Sequence, residues 1–158
     1  MIAQLVSIMW FNPIMKGTLR SPLHFLISKS TMLVTYTGRK SGRVYTTPVS
    51  YLQVGDQLYT ISSPDRVWWR NLREGAEVTL HLRGSDVRAR GEVIEDQPLV
   101  EEALARYLES APERAKYLKI ALDADGTPDK QDLRRLAEHK VMVEMRLATA
   151  ANSQINTA

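Results

Sequence analysis

Two segments of this 158-residue sequence gather side chains suited to holding an anion. The first is Tyr36-Thr37-Gly38-Arg39-Lys40-Ser41-Gly42-Arg43, which continues as Val44-Tyr45-Thr46-Thr47-Pro48-Val49. Two glycines flank Arg39-Lys40-Ser41, and glycine permits positive φ and close approach of the backbone to a ligand. Exposed N–H groups, the Ser41 hydroxyl and three cations make a phosphate cradle; a hairpin turn with solvated charges fits the same residues. The spacing is not that of a Walker A loop, because Lys40 precedes the second glycine, Gly42. The second segment is Ser62-Ser63-Pro64-Asp65-Arg66-Val67-Trp68-Trp69-Arg70-Asn71-Leu72. A serine-rich loop entering a helix presents free N–H donors to an anion, and indoles beside arginines stack on planar rings. Equally, one tryptophan can fill the core while the other caps the sheet.

Charge distribution supports the first segment. Residues 1–55 hold six basic side chains, Lys16, Arg20, Lys29, Arg39, Lys40 and Arg43, and no acid. The remaining residues carry 15 basic and 18 acidic side chains. An acid-free stretch of this kind suits a phosphorylated cofactor, a lipid surface or a nucleic acid, and the clustering of three cations at 39–43 favours the cofactor. Cysteine is absent, which excludes disulfides, thiol nucleophiles and Cys-based metal sites. The histidines, His24, His81 and His139, are scattered, so no metal site is expected.

The elements that must position these residues read as an α+β domain. Strands are expected at 32–36, 44–53, 57–61, 77–82, 87–94 and 140–147, from their alternation and β-branched content. On the second, Tyr45, Thr47, Val49 and Tyr51 share a face, and Pro48 marks an edge or bulge. Val67–Arg73 reads as a short helix ended by Gly75, Gln97–Ser110 as a longer one with Leu99, Val100, Ala103, Leu104 and Leu108 inward, and Pro112–Leu122 as a further helical piece. Lys130–Glu138 is the last helix. Short turns between strands favour a small, mostly antiparallel sheet or barrel over a Rossmann alternation. One domain is expected over 1–150, with a helical segment at 1–30 whose Ser21-Pro22 opens a helix, and a frayed tail at 151–158. Met1–Phe11 is apolar but too short to span a membrane and lacks signal-peptide features. It offers a peripheral membrane contact or a packing surface on its own domain or a partner subunit. The expected location is cytoplasmic, with membrane association left open through 1–30.

From about Leu33 to Arg90 the sequence resembles the deazaflavin (coenzyme F-420)-dependent nitroreductase family of the flavin/deazaflavin oxidoreductase superfamily. The resemblance rests on T-G-R-K-S-G-R at 37–43, T-P-V at 47–49 with Tyr51, the G-D turn at 55–56, W-W-R-N-L-R at 68–73 and V-T-L-H-L-R-G at 78–84. N-P at 12–13 and S-P-L-H at 21–24 add to it. It implies a split β-barrel of the FMN-binding, pyridoxamine-phosphate-oxidase-like kind, mostly antiparallel with peripheral helices and usually dimeric. It also implies coenzyme F-420, whose tail carries a phosphate and glutamates, bound against Arg39, Lys40, Ser41, Gly42 and Arg43, with Thr47 and Pro48 behind. Ser62, Ser63, Trp68, Trp69 and Asn71 would hold the phosphate or ribityl region. The loop before W-W-R-N-L, Ser62–Arg66, is shorter than the Gly-rich loop often found there in the family. Tyr107 and Tyr117 fall where family members place tyrosines on the substrate side.

The reaction implied is hydride transfer from reduced F-420 to a small hydrophobic, electron-poor acceptor: a quinone, an enone or a nitroaromatic. Such chemistry asks the protein to orient the cofactor and exclude water, in keeping with a sequence that shows no triad or carboxylate pair. The rival readings are an FMN-dependent oxidoreductase on the same fold and a non-catalytic binder of a flavin- or lipid-like ligand. Nucleic-acid binding needs a basic surface with exposed aromatics and is not expected.

Overall fold

The computed structural model describes residues 30–148. Apart from Ser30, the helical segment expected at 1–30 and its membrane contact lie outside these residues, as does the tail at 151–158. The described elements are β1 (Thr31–Thr37), β2 (Val44–Ser50), β3 (Leu52–Val54), β4 (Gln57–Ser62), a 3₁₀ helix (Trp68–Leu72), β5 (Ala76–Leu82), β6 (Ser85–Ile94), α1 (Gln97–Ser110), a 3₁₀ turn (Pro112–Arg114), α2 (Lys130–Ala137) and β7 (Val141–Leu147).

All pairings are antiparallel, in the order β2-β1-β5-β6-β7-β4-β3. This order by itself requires the sheet to curl. β2 and β3 lie at opposite edges, yet only Tyr51 separates Ser50 from Leu52. Two Cα atoms two residues apart are at most about 7 Å from each other, so the two edges must meet. The result is a split β-barrel, an α+β fold of seven antiparallel strands with its helices outside the sheet. The single strand expected at 44–53 is therefore two strands on either side of the seam. Tyr51 turns the corner, its N–H donating to Ser30 O at 2.9 Å. Pro48 sits on edge strand β2, where its missing N–H costs no ladder bond.

Alternation decides what enters the barrel. Met32, Val34, Val49, Val78, Leu80, Leu82, Ala89, Val143 and Met145 fill it together with Trp68, Trp69 and Leu72 of the 3₁₀ helix. A second core lies between the sheet and the helices, built from Val100, Ala103, Leu104, Tyr107 and Leu108 of α1, Leu133 and Ala137 of α2, and Met142. β7 serves both cores, which explains its unbroken Val141-Met142-Val143 run. Leu99, expected inward on α1, is exposed. The helix expected over 112–122 reduces to the 3₁₀ turn and successive turns, ended by Lys119 at φ 57°. The cap of α2 is Asp129, whose carboxylate accepts from Asp132 N–H at 2.9 Å.

Candidate functional site

The loop between β1 and β2 is built around its glycines. Gly38 N–H donates to Arg43 O at 2.7 Å, and Gly42 N–H donates back to Gly38 O at 2.9 Å. Gly42 holds φ at 67° in open space, where a side chain would be strained. Gly38 is required for a different reason. A Cβ there would lie 2.7 Å from Ser41 Oγ and 2.8 Å from Tyr45 Cε2, so only glycine lets the loop fold back on itself. Ser41 Oγ accepts from Arg43 N–H at 3.2 Å and shares a hydrogen bond with Tyr45 OH at 3.1 Å. The Ser41 hydroxyl thus organises the turn as well as facing solvent.

Tyr45 stands opposite Tyr36 in the β1–β2 register, and the two rings stack at 5.7 Å and 27°. Tyr36 packs against the barrel core, and burial pushes its phenol up to about 12, with the neighbouring Tyr45 adding to the rise and Arg66 opposing it. Arg66, on the loop after β4, is close enough for its charge to act on the Tyr36 phenol.

The second segment plays a different part from the one its sequence suggests. It forms a five-residue 3₁₀ helix, and two of its leading N–H groups are spent in turns, Arg66 to Ser63 O and Arg70 to Val67 O, each at 3.1 Å. Trp68 and Trp69 are 4% and 2% exposed, so neither indole offers a face to a planar ring. Their N–H groups fasten the loop instead: Trp68 Nε1 donates to Ser62 Oγ at 3.3 Å and Trp69 Nε1 to Ser63 O at 3.0 Å. Arg70 and Arg73 lie over the Trp69 ring at 5.5 and 5.0 Å, covering its remaining face. Both indoles are buried with the strand side chains of the barrel core.

Asn71 joins the two segments. Its Oδ1 accepts from Arg39 N–H at 3.1 Å, while its Nδ2 donates to Val67 O and Trp68 O at 3.3 and 3.2 Å. The Arg39 guanidinium reaches Glu74 at 3.2 Å. Among the described residues, Lys40, Arg43 and Arg66 have no acidic partner. The structure thus brings Arg39, Lys40, Ser41, Gly42, Arg43 and Asn71 to one end of the barrel, with Ser62, Ser63, Trp68 and Trp69 as the scaffold behind. Thr47 and Pro48 lie further along β2, opposite Val34 and Leu33.

Tyr107 and Tyr117 are not drawn into this group by any hydrogen bond or ring contact. Tyr107 is buried in the second core, and its OH accepts from Arg114 Nη1 at 2.6 Å. Tyr117 is 75% exposed, with Lys116 Nζ 5.0 Å from its ring centroid. Sequence reasoning included Arg66 within the loop Ser62–Arg66 but passed over Tyr36 and Glu74 as site residues. The available signal for Tyr36 was an aromatic side chain closing a strand immediately before the glycine turn.

Comparison with known proteins places this geometry. The family model described as F420H(2)-dependent quinone reductase matches residues 16–143. The chain belongs to that family. Its cofactor is coenzyme F-420 and its chemistry F-420-dependent oxidoreduction. No curated protein matches the sequence. Among solved structures it is similar to an FAD and heme binding protein from Mycobacterium smegmatis (14% identity, 88% of this chain and 80% of that one, TM-score 0.44). It is also similar to an F420 reductase (14% identity, 85% and 93%, TM-score 0.43) and to the heme storage protein HutZ from Vibrio cholerae (10% identity, 80% and 87%, TM-score 0.43). The residues present fit an anionic cofactor: Lys40 and Arg43, two cations without acidic partners among the described residues, lie on a glycine turn too tight for a Cβ at Gly38.

Proposed function

We propose that this quinone-reductase family member binds the phosphate- and carboxylate-bearing tail of F-420 at the β1–β2 loop and reduces a small, planar, electron-poor acceptor, which is a quinone, an enone or a nitroaromatic. Lys40 and Arg43 supply charge for the tail, Ser41 a hydroxyl, and Gly42 an exposed backbone. Asn71 holds the loop against the 3₁₀ helix through Arg39 N–H. When bound, F-420 supplies the hydride; the protein's tasks are to orient it and to keep water from it. The observation that carries this reading is the pair of cations Lys40 and Arg43, without acidic partners among the described residues, on a loop tethered to the 3₁₀ helix through Asn71, a pattern matched by an anionic ligand.

The active form is expected to be a homodimer in the cytoplasm, and the expected role of 1–30 is peripheral contact with a membrane or with the dimer. The test is titration of the purified full-length protein with F-420, followed by deazaflavin fluorescence. Lys40→Ala should weaken binding about tenfold or more, because a charge-assisted contact is worth about 1.5–3 kcal/mol. Unchanged affinity in Lys40→Ala and Arg43→Ala would reduce the loop to a hairpin turn. FMN in the denatured extract, with no F-420 binding, would replace the cofactor.

A further inference from the structure

We propose that Glu74 is a built-in counter-anion: its carboxylate holds the Arg39 guanidinium in the cofactor-free protein and yields it to the anionic tail of F-420 when the tail binds. The inference rests on the tail binding proposed above and adds a residue that tunes its strength.

Arg39 differs from the other cations of its loop. Lys40 and Arg43 have no acidic partner among the described residues, whereas Arg39 Nη2 donates to Glu74 Oε2 at 3.2 Å. The backbone of Arg39 is fixed separately, by its N–H on Asn71 Oδ1 at 3.1 Å. The guanidinium can therefore change partner while the loop stays tethered.

Glu74 occupies a backbone position suited to glycine. Leu72–Gly75 is a type II turn: Arg73 sits at φ −54° and ψ 140°, Glu74 at φ 68°, and Gly75 N–H donates to Leu72 O at 3.0 Å. The third position of such a turn favours glycine or asparagine, because a β-carbon is strained there. The turn is also pinned on both sides of Glu74. Arg73 makes a two-pronged contact with Glu95, from Nε at 2.9 Å and from Nη2 at 2.7 Å. Gly75 lies so close to Arg90 that a Cβ there would collide with the guanidinium. Local folding gains nothing from a glutamate at this position. Its side chain reaches the anion loop, and strain of this kind gathers where a site needs a group held in place.

The weakness of the pair suits exchange. The Arg39 and Glu74 side chains are 48% and 85% exposed, and an ion pair so open to water is worth little. A tail that meets Arg39 together with Lys40 and Arg43 forms several charge-assisted bonds at once, and so outcompetes one solvated carboxylate. A small anion that meets Arg39 alone gains one contact and loses the pair. The exchange thus favours a ligand with several negative charges.

The experiment titrates the full-length protein, Glu74→Gln, Arg39→Gln and the double variant with two probes: F-420, and the same deazaflavin lacking its phosphate and glutamates. Glu74→Gln keeps the size of an exposed side chain, so the fold should stand. It should bind F-420 about two- to fivefold more tightly than the parent, the worth of one exposed ion pair. Its affinity for the tail-less deazaflavin should match the parent's. Arg39→Gln should weaken F-420 binding by a larger factor in the Glu74→Gln background than in the parent, because there no pair is given up. Unchanged F-420 affinity in Glu74→Gln would overturn the exchange. Weaker affinity would overturn it too, by making Glu74 a support for Arg39 in the bound state. So would equal tightening of the tail-less deazaflavin, or an equal cost of Arg39→Gln in both backgrounds. A parent that binds no F-420 would remove the proposed function, and the exchange with it. A parent that binds F-420 beside an unresponsive Glu74→Gln would remove the exchange alone.

Discussion

Replacement of Asn71 by Ala tests whether the Gly38–Arg43 loop and the Ser62–Leu72 segment work as one site or merely lie side by side. Asn71 makes one bond across the gap, from Arg39 N–H at 3.1 Å, and two within its own turn, to Val67 O and Trp68 O. The crossing bond is exposed, so its loss costs the lower part of the range for a net hydrogen bond, about 0.5–1 kcal/mol. The bifurcated pair within the 3₁₀ helix adds a similar amount, giving about 1–2 kcal/mol in total. For a chain of this size that lowers the melting temperature by about 2–8 °C. The consequence for ligand binding is larger than the stability loss suggests. Without the tether, the 38–43 loop must be ordered by the ligand itself, at about 1–2 kcal/mol for each backbone residue that is newly fixed. F-420 affinity should therefore fall about tenfold although Asn71 need not touch the cofactor. Thermal unfolding followed by tryptophan fluorescence and an F-420 titration on the same variant give both numbers. Asn71→Asp, which preserves the acceptor for Arg39 N–H, should retain more of the stability but lose affinity for the anionic tail in a salt-sensitive manner. An Asn71→Ala variant with parental stability and parental affinity would refute the tether.

Three further outcomes follow from individual contacts. Gly38→Ala forces a Cβ to within 2.7 Å of Ser41 Oγ and 2.8 Å of Tyr45 Cε2, and the overpacking should cost about 1–3 kcal/mol in urea unfolding and weaken F-420 binding. Tyr107→Phe removes the 2.6 Å bond from Arg114 in the second core, so it should lower stability by about 0.5–1.5 kcal/mol while leaving F-420 affinity unchanged; a selective loss of turnover would instead place Tyr107 at the acceptor. Alkaline unfolding should report Tyr36. Its folded-state pKa lies above the unfolded value of 10.0, so its contribution is intact below pH 10 and is lost as pH rises toward about 12. Stability measured between pH 9 and 12 should therefore decline less steeply in Tyr36→Phe than in the parent.

The amino-acid sequence alone determined the strands and the long helix, because alternation and helical periodicity are local properties. β4, β5, β6, α1 and β7 fall within a residue or two of where their patterns place them. It also showed which loop gathers cations around glycines, since Gly38, Gly42 and the three cations between and beside them are contiguous. What the sequence could not contain was closure. The break at Tyr51 looks like continuous strand locally and becomes a corner only because the sheet curls until its two edges meet. Likewise Trp68 and Trp69 beside arginines read equally well as stacking platform or core, and their burial among the barrel residues decides for the core. The Pro112–Leu122 stretch has helical composition, but packing under α1 and α2 ends it after one turn.

Only the tertiary structure, finally, assembled the site. Tyr36 and Tyr45 become a stacked pair through the β1–β2 register, and Arg39 finds Asn71 and Glu74 more than thirty positions away in sequence. Residue types and local spacing reveal which groups are able to bind an anion. Which of them remain unpaired, pre-aimed and adjacent depends on long-range contacts, and those are fixed by how the two edges of the sheet close on a core of a given size.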